Sequence, residues 1–169
     1  DFQDLEMYSL ITQVEALSGN GVVALEQPDK SYKTILTQTD IDSLITTISN
    51  ADLISFDLET TSITALEADI VGLSFSVKAN EGYYIPVEYP EKESKPGLTL
   101  DAVLEKLKLI FENDNNRFCG QNIKYDALVL SRYDIHLGNI VFDSMIAEYM
   151  LHPEKNSYKM DYLSIDYLN

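Results

Sequence analysis

The sequence has few of the residues that would cross-link the chain or anchor it in a membrane. Its single cysteine, Cys119, cannot form an internal disulfide, which is typical of a reducing compartment. No unbroken run of apolar residues is longer than four, so no membrane-spanning segment is expected. No basic region followed by an apolar stretch opens the chain, so no secretory signal is expected either. These absences favour a cytoplasmic location.

Basic residues are also scarce. The chain has 12 Lys and Arg against 28 Asp and Glu, a formal net charge of −16. Proteins that bind the backbone of DNA or RNA do so mainly with Lys and Arg, which neutralise phosphates. The charge therefore argues against autonomous binding to nucleic acid and against an anionic membrane surface. It does not exclude a nucleic-acid enzyme whose carboxylates hold divalent metal ions, because the ions then supply the positive charge.

What remains is the composition of a folded globular domain. Apolar residues make up 45% and charged residues 24% of 169 residues, as in one ordinary domain with or without an appendage. The chain lacks an initial Met, and an apolar periodic stretch continues to its last residues, so we expect a piece of a longer protein. We expect this piece alone to be a monomer. Residues 1–28 carry a helical pattern ended by Ser18–Gly21 and are predicted to be a connector from a preceding domain. Residues 29–169 are predicted to form the main domain, incomplete at its C-terminal end.

Within residues 29–169 the hydrophobic period alternates between that of strands and that of helices. Strands are predicted at 31–36, 53–58, 70–77, 83–87, 117–120 and 140–142, with a hairpin turn at 79–82 and a loop at 88–98. Helices are predicted at 100–111, 125–133 and 144–151, and another is predicted after Thr39-Asp40 as its cap, running to about Ile48. Hairpin strands come first and strand–helix pairs later, which predicts an α/β fold with a mixed β-sheet flanked by helices.

The strongest chemical signal is the pair Asp57 and Glu59 at the end of the predicted strand 53–58. Side chains two apart on a strand point to the same face. Two like charges at the end of a buried strand are costly unless a cation accompanies them, and a divalent ion suits carboxylate oxygens. The alternative is an exposed strand end that enters a turn.

A third acidic residue, Asp126, ends the segment Gly120–Asp126, where a strand gives way to a helix. Asp126 is expected in the first helical turn, where the helix dipole favours an anion. The alternative is that Asn122 caps this helix and that Asp126 only complements the dipole. Asp143 is expected to cap the helix that begins at Ser144.

Five stretches together resemble a known family: Phe56–Thr60, Val71–Ser76, Tyr84–Val87, Gly120–Asp126 and Phe142–Met145. In order and spacing they are similar to the 3′–5′ proofreading exonuclease domain of bacterial DNA polymerase I, which has a ribonuclease H-like fold and belongs to the DEDD exonuclease superfamily. The resemblance covers roughly residues 30 to 168. It therefore implies a ribonuclease H-like mixed sheet and hydrolysis of the 3′-terminal phosphodiester of single-stranded DNA.

The resemblance also implies roles for individual residues. Asp57, Glu59 and Asp126 match the carboxylates that hold two divalent ions, Mg²⁺ or Mn²⁺, which activate a water and stabilise the leaving 3′ oxygen. Thr60, Ile63 and Asn122 match positions that contact the substrate, Ile63 as an apolar wedge against the terminal bases. The implied partner is a single-stranded 3′ end delivered by the polymerase domain of the same parent chain.

The third motif of the family, Tyr-x-x-x-Asp, is expected some tens of residues beyond Met160–Leu163 and thus outside this sequence. Tyr162–Asp166 satisfies the pattern literally, but it lies where the family has a helix that packs on the core, so we predict that it is structural. The fragment alone is therefore expected to be weakly active or inactive.

Alternative functions are a polymerase scaffold domain without catalysis and a related RNA-trimming exonuclease. A glycosidase that uses Asp57 and Glu59 is a further alternative, but the chain has no tryptophan to stack on sugar rings.

Overall fold

The computed structural model describes residues 30–87 and 98–168. The predicted connector at 1–28 and residues 88–97 of the predicted loop lie outside these ranges. The described elements, in chain order, are β1 (Ser31–Thr34), α1 (Gln38–Ser49), β2 (Ile54–Thr60), β3 (Ile70–Ser76), β4 (Glu81–Pro86), α2 (Leu100–Phe111), β5 (Phe118–Gly120), α3 (Ile123–Ser131), β6 (Ile140–Asp143), α4 (Ser144–Leu151) and α5 (Met160–Leu168).

The strands form one mixed sheet in the order β1-β4-β3-β2-β5-β6. The central strands β2, β3 and β4 are antiparallel neighbours, whereas β1 pairs with β4, β5 with β2 and β6 with β5 in parallel. Antiparallel strands are joined by short turns, while the parallel pairs need crossovers that contain helices. The α/β fold with a mixed sheet flanked by helices, predicted from the order of the elements, is thereby confirmed.

One face of β2 belongs to the core. Ile54, Phe56 and Leu58 are buried, and the residues between them are exposed. The Phe56 ring lies 4.9 Å from the ring of Phe111 in α2 and 5.1 Å from that of Phe75 in β3, measured between centroids. Large aromatic side chains contribute most of the apolar area buried in such a core. The opposite face of β2 is left for polar side chains.

Two helices supply much of the remaining core. Both have the three- and four-residue spacing of an amphipathic helix. The buried residues of α1 are Ile41, Leu44 and Ile48. Those of α2 are Val103, Leu104, Leu107, Ile110 and Phe111. No helix within the described ranges is long and apolar enough to cross a membrane.

Several predicted boundaries are wrong, and two of them have a clear cause in the structure. The cap of α1 is Thr37, whose side chain accepts the backbone N–H of Asp40 at 3.1 Å, so the helix starts before the predicted cap at Thr39-Asp40. Strand β4 begins at Glu81 instead of Tyr83, because Glu81 pairs with Ser31 of the parallel strand β1. The turn that precedes β4 lies at 77–80 instead of the predicted 79–82.

Candidate active site

The end of β2 presents two carboxylates on one face of the sheet. Asp57 and Glu59 are both exposed and alternate with the buried residues of the strand. Asp57 lies opposite Ser74 in β3, and Glu59 lies opposite Gly72. A register shift follows between Glu59 and Thr60, where the regular pairing with β3 is interrupted. The predicted shared face of the two carboxylates is therefore confirmed.

Asp126 in the first turn of α3 docks against the same stretch of β2. It is 2% exposed, and its Oδ1 accepts the backbone N–H of Leu58 at 3.0 Å. β5 pairs with β2 only at Ile54 and Ser55, so it does not extend as far as Leu58. The bond brings Asp126 to the part of β2 between the two exposed carboxylates, although 68 residues separate its partners along the chain.

The three carboxylates crowd one another electrostatically. Burial, and then the charge of Glu59, raises the pKa of Asp57. Burial, and then the charge of Asp57, raises the pKa of Asp126 to about 7, against the opposing effect of the Leu58 N–H. None of the three forms an ion pair with a basic side chain in the described parts of the chain. Ionising all three without a cation therefore costs stability.

The donor set fits a hard cation in its chemistry. Asp57, Glu59 and Asp126 offer only carboxylate oxygens, the ligands that Mg²⁺ and Mn²⁺ prefer. A cation would also relieve the repulsion that raises the pKa of Asp126. However, within residues 30–87 and 98–168 no three His, Cys, Asp or Glu side chains converge closely enough to hold a metal ion as they stand. The three residues therefore offer the ligand atoms that a divalent ion prefers, but their side chains do not yet converge on one point.

The turn that carries Asp126 requires two special residues. A methyl group on Gly120 would lie 2.8 Å from the backbone oxygen of Phe56, so only glycine lets β5 approach β2 so closely here. Asn122 has φ 58° and ψ 34°, a left-handed conformation that Asn tolerates. Asn122 occupies the N-cap position of α3, as in the alternative interpretation, but its side chain makes no capping hydrogen bond to the helix. Asn122 instead reverses the chain sharply between strand and helix.

Asp143 connects this turn to the next one. Its Oδ1 accepts the backbone N–H groups of Met145 and Ile146 at the start of α4, which confirms the predicted cap. The same oxygen also accepts the N–H of Asn122 at 3.0 Å. The second oxygen of Asp143 is buried without a hydrogen-bond partner among the described residues, and the Asp143 charge adds to the pKa rise of Asp126.

The loop 61–69 after β2 is fastened to α3 at its near end. The hydroxyl of Tyr125 lies 2.6 Å from Oγ1 of Thr60 and also bonds the carbonyl oxygen of Ser62. Ile63 next to this anchor is 97% exposed. An apolar side chain held in solvent by a fixed loop is a feature that core packing does not explain.

The far end of the same loop is fastened to the end of α3. The guanidinium of Arg132 donates to the carbonyl oxygen of Ala68 and lies 3.6 Å from the carboxylate of Asp69. The hydroxyl of Tyr133 accepts the backbone N–H of Ile70 at 3.4 Å. The loop that presents Ile63 is therefore held at one end by α3 and at the other end by the two residues that directly follow α3.

Two adjoining cavities connect the predicted site residues. An open groove of about 410 Å³ is lined by the three residues predicted to contact the substrate, Thr60, Ile63 and Asn122. Thr61, Ser62 and Tyr125 complete its lining. A second cavity of about 310 Å³ is lined by Asp57 and Asp126. Asn122 and Tyr125 line both cavities, so the groove leads to the two carboxylates. Glu59 is not among the lining residues of either cavity.

Several lining residues have no functional role predicted from the sequence, among them Tyr125 and Lys159. Tyr125, which fastens the loop, directly precedes Asp126, and its position in the Gly120–Asp126 segment is the signal that could have identified it. Lys159 lines the cavity of Asp57 and Asp126 from the residue before α5. Nothing local in the sequence indicates Lys159, because its approach depends on how α5 packs.

The Tyr-x-x-x-Asp pattern at Tyr162–Asp166 lies elsewhere. Asp166 pairs with Lys155 at 2.7 Å, and neither Tyr162 nor Asp166 lines the two cavities. Asp166 thus takes part in an ion pair that joins α5 to the segment preceding it, a structural role of the kind predicted for it.

Comparison with known proteins adds an independent line of argument. Residues 32–169 match the family model described as 3′–5′ exonuclease. A DNA polymerase I of Pseudomonas aeruginosa is 36% identical over 144 residues, which cover 84% of this chain and 16% of that protein. The chain thus spans about a sixth of the length of this relative.

Solved structures share the fold at low sequence identity. The polymerase domain of Pol1 from M. smegmatis, in complex with DNA primer-template and dNTP, superposes with a TM-score of 0.63 at 18% identity, over 80% of this chain and 22% of that one. NrnC of Brucella melitensis with bound Mg²⁺ superposes with a TM-score of 0.57 at 14% identity, over 82% of this chain and 61% of that one. At these identities the likeness is one of fold.

Proposed function

Because the chain belongs to the family of 3′–5′ exonuclease domains of DNA polymerase I, we propose that it removes the terminal nucleotide from the 3′ end of single-stranded DNA. In this proposal Asp57, Glu59 and Asp126 are the catalytic carboxylates. Thr60, Ile63 and Asn122 contact the terminal nucleotides. The polypeptide that carries the domain is a cytoplasmic polymerase whose polymerase region delivers the strand, and this chain alone is a monomer.

One observation carries the proposal. Asp126 is buried beside Asp57 with its pKa raised to about 7, and no basic side chain in the described ranges forms an ion pair with either residue. The Leu58 N–H accounts for the position of one Asp126 oxygen, but the crowding of the ionised carboxylates is destabilising at neutral pH. Strongly perturbed carboxylates at a cavity are typical of functional sites. The cavity also opens into a groove with the exposed Ile63, which suits a substrate with apolar bases.

The residues of the groove would orient the substrate. Ile63, held by the loop anchored at Tyr125 and Arg132, would pack against the face of the last base and prevent its stacking on the next. Asn122, at the junction of groove and cavity, offers an amide to a sugar or phosphate oxygen. Lys159 would place a positive charge near the scissile phosphate in an otherwise acidic cavity. These contacts position one phosphodiester next to Asp57 and Asp126.

The carboxylates would hold divalent ions between them and the phosphate. Asp57 and Asp126 face one cavity, and Glu59 follows Asp57 on the same face of β2, so together they could ligate two Mg²⁺ or Mn²⁺ ions. Bound ions would supply a nucleophilic water at neutral pH and neutralise the charge that develops on the leaving 3′ oxygen. The role of the protein is then to keep the carboxylates ionised and the phosphate in place.

The test is the degradation of a 5′-labelled single-stranded oligonucleotide by the longer polymerase polypeptide that we propose carries this domain. With Mg²⁺ or Mn²⁺ we expect a ladder of products shortened from the 3′ end. Asp57→Ala should abolish the ladder, and Asp52→Ala, an exposed acidic residue outside the site, should not. A matched RNA oligonucleotide tests the alternative of an RNA-trimming enzyme. Absence of 3′ shortening of either strand, or full activity of Asp57→Ala, would overturn the proposal.

A further inference from the structure

The phenol ring of Tyr84 lies across β3, on the face of the sheet that carries Glu59. Tyr84 of β4 is opposite Ser74, which in turn is opposite Asp57. A methyl group on Gly72 would lie 2.6 Å from Cζ of Tyr84 and 2.5 Å from its Cε2. The ring therefore occupies the volume that any side chain at residue 72 would need.

This arrangement brings the Tyr84 hydroxyl toward Glu59. The hydroxyl ends above Gly72, and Gly72 is the direct cross-strand partner of Glu59. Directly opposite side chains on an antiparallel pair are about 4.5–5.5 Å apart at Cβ. Since Gly72 has no side chain, the phenol takes the place of the neighbour that Glu59 would otherwise have.

The surroundings of the phenol agree with this geometry. Tyr84 is 37% exposed, and its hydroxyl has no hydrogen-bond partner among the residues that the structure describes. Burial, and then the charge of Glu59, raises the pKa of Tyr84. The hydroxyl is thus an uncommitted donor close to a carboxylate that also lacks an ion-pair partner in those ranges.

We propose that Tyr84 is a positioning residue for the exonuclease reaction, whose hydroxyl donates a hydrogen bond to the Glu59 carboxylate and fixes its orientation during catalysis. The inference rests on the proposed function, since it assigns Tyr84 a role through Glu59. The Glu59 side chain lies on an open face of the sheet and loses conformational entropy when it binds a ligand. A hydrogen bond from Tyr84 that already orients the carboxylate reduces this entropic cost. Gly72 is then required because only glycine leaves room for the phenol.

Removing the hydroxyl while keeping the ring distinguishes a positioning role of Tyr84 from a role in packing. Tyr84→Phe keeps the ring over Gly72 and removes only the donor. Tyr83→Phe is the matched control, because Tyr83 is the neighbouring tyrosine of β4 and packs against the apolar core. Gly72→Ala displaces the ring of Tyr84. If that displacement is the sole cause of the loss in activity, Gly72→Ala has no further effect in a protein that already carries Tyr84→Ala.

The experiment measures kcat and KM of the polymerase polypeptide on single-stranded DNA with Mg²⁺, together with Mn²⁺ affinity by electron paramagnetic resonance. For Tyr84→Phe we expect kcat to fall about tenfold with KM unchanged, the change that one hydrogen bond of ordinary strength supplies. Mn²⁺ affinity should fall severalfold, thermal stability should not change, and Tyr83→Phe should match the unsubstituted protein.

A spectroscopic measurement tests the contact without catalysis. The ¹³Cζ resonance of Tyr84 should shift on Glu59→Gln and should keep its position on Glu81→Gln, an acidic change in the same strand as Tyr84. A Tyr84→Phe kcat within twofold of the unsubstituted value, with unchanged Mn²⁺ affinity, would overturn the inference. If Asp57→Ala abolishes activity in the same series, only the role of Tyr84 fails; if Asp57→Ala is fully active, the proposed function fails with it.

Discussion

Two carboxylates in this chain are equally inaccessible to solvent, yet their pKa values are shifted in opposite directions. Asp126 and Glu148 are each 2% exposed. The pKa of Asp126 is raised to about 7 by burial and by the charge of Asp57. The pKa of Glu148 is lowered, first by its hydrogen bond with Lys155 and then by that with Tyr167.

The difference lies in the partners. Glu148 of α4 has Lys155 Nζ at 2.6 Å from its Oε1, and the hydroxyl of Tyr167 donates to its Oε2 at 2.7 Å. Lys155 also pairs with Asp166, so the network joins α4 to α5. Asp126 has one backbone N–H and two acidic neighbours instead. Burial alone therefore does not distinguish the two carboxylates; they differ in that Glu148 has a cationic partner, whereas Asp126 is crowded by other carboxylates.

The largest expected effect is on metal affinity. Asp57→Asn should weaken Mn²⁺ binding by at least about 100-fold, since loss of a residue that only hydrogen-bonds a metal ligand already costs about 10- to 100-fold in affinity. The same change should leave the fold intact and raise its stability at pH 7, because it relieves the repulsion with Glu59 and Asp126. Calorimetric titration and a urea melt measure both. Asp52→Asn is the control, and weaker stability together with unchanged Mn²⁺ affinity would contradict the account.

The next largest effect is expected in the network of Glu148. Lys155→Met leaves Glu148 buried without its cation, and removal of one partner of a buried pair is strongly destabilising. The urea midpoint should fall, and α5 should lose hydrogen-exchange protection first. Adding Glu148→Gln to Lys155→Met should restore much of the stability. An unchanged midpoint for Lys155→Met would show that the network does not hold α5.

A smaller effect concerns pH. Because the pKa of Asp126 is raised on folding, the folded chain binds its proton more tightly than the unfolded chain does. The stability that the protonated carboxyl contributes is complete below pH 4 and is lost as the pH rises to about 7. One pKa unit corresponds to about 1.4 kcal/mol, so the loss is at most a few kcal/mol.

Asp126→Asn isolates this contribution. The amide oxygen can still accept the Leu58 N–H, but the residue no longer ionises. Between pH 4 and 7 the free energy of unfolding should fall less steeply for Asp126→Asn than for the unsubstituted chain. Parallel stability curves for the two proteins would contradict the assigned pKa.

The smallest effect on stability is expected at Ile63. Because its side chain is 97% exposed, Ile63→Ala should change the free energy of unfolding by less than about 0.5 kcal/mol. The KM for single-stranded DNA should rise nonetheless. Leu109→Ala, at an 80% exposed residue of α2 outside the groove, should affect neither quantity. Equal KM values for the two variants would remove Ile63 from the substrate-binding residues.

Elements with strong local signals could be predicted from the sequence. The bounds of α2 and α4 agree with the predicted ranges because each helix has a clear apolar spacing and a capping residue, Thr99 or Asp143, directly before its first residue. The start of β4 could not be predicted in this way, because its pairing with β1 involves residues about 50 apart in the chain. The start of α3 at Ile123 instead of Tyr125 follows from the left-handed conformation of Asn122.

The candidate site also has features that could be predicted from local sequence and features that could not. The shared face of Asp57 and Glu59 follows from the two-residue period of a strand, and the place of Asp126 at the start of a helix follows from local pattern. The approach of Lys159 to the cavity and of Tyr84 to Glu59 depends on packing and strand register. Such contacts between distant segments carry no local signal in one sequence.

The central claim is that Asp126 is held beside Asp57 for a cation and not for stability. Carboxyl ¹³C NMR of this chain, recorded from pH 3 to 9 with and without Mg²⁺, tests it most directly. The account predicts that Asp126 titrates near pH 7 without Mg²⁺ and at least one unit lower with it, while Glu148 titrates below its ordinary pKa in both series. An Asp126 that titrates near pH 4 without metal, or that does not respond to Mg²⁺, would contradict it.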